Sequence, residues 1–177
     1  MIRVEVDAVD FTFTIALCDT EAPVSCAYFL ADVDAGALDG SSIFRIVNLQ
    51  NQPAAHPSRI EVMQMGWREP NAHIAVSIRH EPTSETGLRH LRGAVSLARF
   101  APGAVYRSWF VCMRDEPCLD VGGSRNSDGL GFSVFGFVAE GFDHLRSLFD
   151  MNARAPEYLT APIPLRTVRR IADATML

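Results

Sequence analysis

Apolar and polar residues alternate with period two at the start of the chain. Ile2, Val4 and Val6 face one way, and Phe11, Phe13, Ile15 and Leu17 repeat the pattern. The second run is rich in β-branched and aromatic residues, and a turn over Asp7–Asp10 would fold the two into a hairpin. The period then changes. Cys26, Phe29, Leu30, Val33 and Ala37 fall near helical spacing, which predicts a helix with one buried stripe. Asp19 or Thr20 is its expected cap, Glu21 suits the positive end of the dipole, and Pro23 fits the first turn. Gly36 and Gly40 bracket its exit.

Short strands are expected at Ile43–Val47, Arg59–Met65, Ala94–Ala98, Trp109–Met113 and Phe132–Val138, separated by Gly, Pro, Asn and Asp. A second helix is expected over 139–150, with Phe142, Leu145 and Leu148 or Phe149 turned inward. Ile163–Ile171 reads as a closing strand whose entry Pro162 and Pro164 confine to an edge. Of the connections 48–58, 66–92, 99–107 and 114–131, two are longer than structureless loops usually are, which points to binding or gating. Many short strands and two helices suggest a β-barrel or sandwich capped by helices. The strand–helix alternation of a doubly wound parallel sheet is missing.

Composition narrows the function. A chain of 177 residues, 48% apolar and 21% charged, suits a single globular domain over 1–177. The net charge of −5 offers no cationic footprint for nucleic acid or an acidic membrane. All 16 basic residues are arginine, so Schiff-base chemistry and the P-loop lysine are excluded. Cys18, Cys26, Cys112 and Cys118 are too few for a disulfide scaffold and lack zinc spacing. The opening MIRVEVD reads as a strand and not a leader, and no apolar run is long enough to span a bilayer. The expectation is a cytoplasmic monomer, periplasmic if a leader has been trimmed.

Several motif tests fail. Gly129 and Gly131 begin a dinucleotide fingerprint, but Val134 stands where its third glycine belongs. Asp120 could open a calcium loop, but Gly122 and Gly131 fall at ligand positions. His80 and His90 lack ligand spacing and suit exposed or structural roles, and Ser108 sits in no nucleophile elbow. No metal or cofactor is expected.

The order of segments then becomes informative. Phe11-Thr12-Phe13-Thr14-Ile15, Glu21-Ala22-Pro23-Val24 and Phe29-Leu30 are followed by Asp39-Gly40-Ser41-Ser42-Ile43-Phe44-Arg45-Ile46-Val47. Next come Val62-Met63-Gln64-Met65-Gly66, Arg92-Gly93-Ala94-Val95-Ser96-Leu97-Ala98-Arg99 and Ser108-Trp109-Phe110-Val111-Cys112. Leu119-Asp120, Val134-Phe135-Gly136-Phe137-Val138 and Glu140-Gly141 close the series. Over about residues 2–150 this series resembles the cyclophilins, peptidyl-prolyl cis-trans isomerases. The resemblance implies a closed eight-stranded antiparallel β-barrel capped by two helices, with 151–177 as an extension or closing strand. It implies proline-containing peptides or unfolded proteins as substrates, and Arg45 as the catalytic residue.

The resemblance further implies that Phe110 floors a proline pocket walled by Val62 and Leu119. Phe132 stands where the family has histidine or tyrosine. Gln64 would bind peptide backbone and orient Arg45, while Ala98 and Arg99 would offer a strand edge to an extended peptide. Several positions depart from the family. Glu61 replaces a pocket phenylalanine, Ser108 a glutamine, and Cys118 a tryptophan, and the 48–58 loop is longer than usual. Glu61 could pair with Arg45 and fill the pocket mouth, or point outward in a shifted register. An active isomerase, a peptide-binding module with little turnover, and a barrel around a small apolar ligand are the three readings.

Overall fold

The computed structural model describes residues 1–68 and 75–172. Residues 69–74 of the 66–92 connection and 173–177 of the tail lie outside the described residues. The expected hairpin forms from β1 (Arg3–Ala8) and β2 (Phe11–Leu17), with Val4 opposite Ile15 and Val6 opposite Phe13.

The first helix, α1 (Pro23–Asp34), buries Cys26, Phe29, Leu30 and Val33. Neither Asp19 nor Thr20 caps it; the N-cap position is Ala22, with no side-chain cap bond. The fully buried carboxylate of Glu81 takes that role from a distant segment. It accepts the amides of Val24 and Ser25 at 3.0 and 2.8 Å and the Ser25 hydroxyl at 2.7 Å. These are first-turn donors that no helical carbonyl can reach. Ala37 lies beyond the helix end, and Leu38 fills the core instead.

The remaining strands are β3 (Ser42–Val47), β4 (Val62–Gly66), the short β5 (Val76–Ser77), β6 (Ala94–Arg99), β7 (Ala104–Cys112) and β8 (Val134–Glu140). A one-turn helix, α2 (Thr83–Thr86), and a 3-10 turn at Pro117–Leu119 sit in the long connections. The β7 strand starts earlier than the periodicity predicts, so the expected 99–107 loop shrinks to a tight turn. The second helix is α3 (Phe142–Met151). Gly141 opens it at φ +81°, where an added Cβ would come within 2.6 Å of the Thr12 carbonyl.

The predicted closing strand is two strands, β9 (Tyr158–Pro164) and β10 (Thr167–Ile171). The chain breaks between them because Leu165 bonds to the residue just before β3 and Arg166 to β1. The Leu165 amide donates to Ser41 at 2.8 Å and the Arg166 amide to Asp7 at 2.7 Å. The antiparallel ladder runs β10-β1-β2-β8-β6-β7-β4-β3-β9, with β5 added to β7. Its two ends are therefore consecutive in the chain and joined through Leu165 and Arg166, which curls the sheet into a barrel. Counted as one broken strand, β9 and β10 complete the eight expected.

Two apolar clusters result. The larger fills the barrel around Trp109, Phe13, Ile15, Met63, Met65 and Phe135, with α1 and α3 packed on it. The smaller gathers Val47, Ile60, Val62, Phe110, Cys112, Leu119 and Val134. The candidate site stands on this second cluster.

Candidate functional site

Strand register brings distant residues into one row. Tyr158 lies opposite Arg45, Arg45 opposite Gln64, Gln64 opposite Phe110, and Phe110 opposite Ser96. Five strands thus contribute neighbours to one surface. A β-bulge sets Arg45 on it. Ile43 pairs with Met65 and Arg45 with Gln64, so Phe44 is the extra residue. Ile43 and Ile46 both face the barrel core, three positions apart, and the bulge is what breaks the period of two.

Arg45 is held from two sides. Its Nε donates to Glu157 Oε1 at 2.7 Å, and its Nη2 donates to the same oxygen. Its Nη1 donates to Gln64 Oε1 at 3.0 Å. The Gln64 amide nitrogen donates in turn to Tyr106 Oη and Ser108 Oγ, each at 3.0 Å. The Ser108 hydroxyl donates to the Met65 carbonyl at 3.0 Å, which leaves its oxygen to receive Gln64. The guanidinium lies 5.2 Å from the centre of the Tyr158 ring.

Beside it opens a cavity of about 330 Å³ whose apolar wall is Ile60, Val62, Phe110, Leu119 and Phe132. Phe132 stands edge-on to Phe110, with ring centres 5.2 Å apart. Behind Phe110 stacks the buried ring of His90, whose Nδ1 lies 2.7 Å from Asp120 and whose Nε2 lies 3.1 Å from Ser96 Oγ. Burial pushes the His90 pKa below its ordinary value, against the pull of Asp120. His90 thus has a structural place, and a buried one.

Ala98 and Arg99 line the cavity where β6 loses its second neighbour. The β8 pairing ends at Ser96 opposite Val134, and the next bond is Leu97 to Ser133 at 3.1 Å. Beyond it, among the described residues, only β7 pairs with β6, with Arg99 opposite Val105. The Arg99 side chain is fixed by Asp128 through two 2.9 Å bonds and by the Gly131 carbonyl at 2.8 Å.

The structure brings Arg45, Val62, Gln64, Ala98, Arg99, Phe110, Leu119 and Phe132 to one cavity. Three sequence candidates stand elsewhere. Glu61 does not meet Arg45; its carboxylate lies 3.9 Å from both Arg114 and Arg146 of α3. It precedes a strand on which Val62 and Gln64 face the cavity, so alternation turns it away. Cys118 is off the cavity wall, its thiol turned to Glu116 at 3.8 Å. Burial, then Glu116, keeps that thiol's pKa raised. Ser108 acts beneath Gln64 and does not line the cavity.

Sequence reasoning missed Ile60, Tyr106, His56, Arg125, Asn126 and Glu157. Alternation carried the signal for two of them. Ile60 shares a face with Val62 and Gln64, and Tyr106 with Ser108 and Phe110. Among the described residues no helix is long and apolar enough to cross a membrane.

Residues 1–170 match the profile of the family described as cyclophilin type peptidyl-prolyl cis-trans isomerase/CLD. The match extends past residue 150 to take in β9 and most of β10. Peptidyl-prolyl cis-trans isomerase A of Dickeya dadantii (strain 3937) is 28% identical over 130 residues, which are 73% of this chain and 61% of that relative. A crystal structure of a cyclophilin type peptidyl-prolyl cis-trans isomerase of Cryptosporidium parvum superposes with a TM-score of 0.74 at 16% identity. The superposition covers 97% of this chain and 98% of that one. A second structure of that protein, in the presence of the dipeptide Ala-Pro, gives 0.73 at 17% identity, covering 97% and 99%. At these identities the likeness is one of fold.

Proposed function

The chain belongs to the cyclophilin-type peptidyl-prolyl cis-trans isomerase family, and on that premise we propose that it isomerises X–Pro bonds at the Arg45 cavity. The observation that carries this reading is a fixed guanidinium facing the apolar wall of a cavity of about 330 Å³. Rotation about an X–Pro amide meets a barrier of roughly 18–20 kcal/mol because resonance makes the C–N bond partly double. No covalent step is needed. A catalyst must hold the ring and favour the twisted amide over both planar forms.

The residues divide that work. Phe110, Phe132, Leu119, Val62 and Ile60 receive the proline ring. Twisting localises the lone pair on nitrogen and makes it a better acceptor, toward which Arg45 donates. Among the described residues, Glu157 and Gln64 engage three of its five N–H groups, so two remain for the substrate. The side of β6 at Ala98 and Arg99, which no strand of the described residues covers, takes the peptide backbone as an added strand. The substrates are proline-containing peptides or unfolded proteins. The Ala-Pro dipeptide used with the Cryptosporidium protein supports that class. We take the whole chain as one domain and a cytoplasmic monomer, its few unbridged cysteines being in keeping with a reducing compartment.

One observation favours the binding-module alternative. Glu157 offsets part of the charge of Arg45, a cost that catalysis tolerates only where the gain from holding the guanidinium in place is larger. A protease-free isomerisation assay on a short Ala-Pro peptide, run beside Arg45→Ala, separates the two. Turnover above background that falls at least about tenfold in the variant supports the enzyme. Background rates in both, with peptide affinity retained, support the binding module.

A further inference from the structure

Three arginines line the cavity, and among the described residues two of them meet a carboxylate. Arg45 has Glu157 and Arg99 has Asp128. Arg125 has no carboxylate within 4.0 Å among the described residues. Its Nη1 makes both its bonds to neutral oxygens, Gln52 Oε1 and the Ser58 carbonyl, each at 2.9 Å. The two acidic groups nearest in influence are already committed. Glu157 holds Arg45, and buried Glu116 holds Arg114 and the Glu61 amide, each at 2.7 Å. Burial, then the charge of Arg45, pushes the Arg125 pKa down. The site therefore carries an uncompensated positive charge, although the chain as a whole carries −5.

The donors left over have a particular shape. With both Nη1 hydrogens used, the parallel Nε–H and Nη2–H pair has no protein acceptor among the described residues. That pair is the fork that matches a carboxylate in bidentate fashion. The side chain is also pre-set. Its own amide bonds to the Cys118 carbonyl at 3.2 Å, and Gln52 and Ser58 fix its Nη1 end. Little ordering is left for a ligand to impose.

We propose that Arg125 is a specificity residue that selects peptides with a carboxylate on a residue flanking the proline. This rests on the reading of the cavity as the X–Pro site. Asp or Glu beside the proline bridges to the Nε–Nη2 edge of Arg125 while the ring sits against Phe110. Arg45 remains the group that acts on the amide.

The test is a set of short peptides that differ only in Ala, Glu or Lys immediately before or after the proline. The expected result in the protease-free assay is that Glu at one flank raises kcat/KM about tenfold over Ala, and that Lys there lowers it. Arg125→Gln brings the Glu/Ala ratio close to one, and Arg125→Lys keeps part of it. Raising salt from about 0.05 to about 0.5 M shrinks the wild-type ratio, an arm that needs no variant. Equal kcat/KM for Glu and Ala at both flanks, or a preference that survives Arg125→Gln, overturns the proposal. If no peptide turns over, the enzymatic reading fails and calorimetric titration of the same peptides decides this one. Tighter Glu peptide then supports it, and equal affinities overturn it.

Discussion

Arg45 and Glu157 stand 112 residues apart in sequence, yet one oxygen of Glu157 accepts both the Nε and an Nη2 hydrogen of Arg45. This fixes the arginine's rotamer where its side chain lines the cavity. Glu157 is thus a positioning residue. Glu157→Ala is expected to lower kcat/KM about three- to tenfold, chiefly through kcat, because a mobile guanidinium serves the twisted amide worst. Glu157→Gln, which keeps an acceptor, recovers part of the loss. A lower melting temperature with unchanged kcat would assign Glu157 to stability alone.

Arg45→Lys is the complementary case. A single ammonium cannot span Glu157 Oε1, Gln64 Oε1 and the substrate as a planar fork can. The variant is expected to keep its charge and its fold while losing most of the effect of the arginine, about tenfold in kcat/KM. Near-wild-type turnover would mean that charge alone suffices.

What the sequence disclosed follows from range. Period-two runs announced β1, β2 and the cavity face of β4, because alternation is local. The same alternation, followed back from Gln64 through Val62, selects Ile60 and turns Glu61 away, so the question of Glu61 was soluble by parity. Arg45 resists that treatment. The bulge at Phe44 breaks the parity between Ile43 and Ile46, and only the partner strand reveals it. Glu157 and Glu81 carry no local signal, since each acts across the fold. The closing strand looks continuous in sequence because the break at Leu165–Arg166 is set by Ser41 and Asp7, far upstream.

Glu81 makes one such distant interaction measurable. Its buried carboxylate serves the Val24 and Ser25 amides and the Ser25 hydroxyl. Removing it leaves two helix-end donors without a partner in the interior. Glu81→Ala is expected to cost about 3 kcal/mol. For a chain of this size that is a drop of about 6–12 °C in melting temperature. Asp19→Ala and Thr20→Ala, at the positions expected to cap, should shift it little.

His90 sets a pH dependence. Its ring is fully buried, and burial lowers its pKa despite Asp120 and Glu116. Burial pushes the Asp120 carboxyl up, but the hydrogen bonds from His90 outweigh that and leave its pKa lowered. A base whose pKa is lowered on folding takes up its proton more readily when unfolded. The stability it contributes is therefore full above about pH 6.5 and is lost as pH falls through that value. The Asp120 contribution is lost only at lower pH, below its ordinary range. Melting temperature is expected to fall between about pH 7.5 and 5.5, and less steeply in His90→Gln, which has no ring to protonate. Identical slopes would place the titrating group elsewhere.

Gln52 tests whether the 48–58 segment belongs to the site. Its amide nitrogen donates to the Asn48 and Ile60 carbonyls at 2.6 and 2.7 Å. Its oxygen accepts the Ile60 amide at 3.1 Å and Arg125 Nη1 at 2.9 Å. One side chain thus ties the loop, the Ile60 wall and Arg125 together, outside the barrel ladder. Gln52→Ala should leave the ladder intact and loosen only this wall. Hydrogen exchange is expected to speed up at the Ile60 amide while the Val111 amide, in the barrel, keeps its protection. In turnover, KM should rise while kcat stays close to wild type, because the ring loses a wall and Arg45 keeps both its anchors. A fall in kcat at constant KM would mean that the loop reaches Arg45, and a loss of protection at Val111 would mean that it supports the barrel itself.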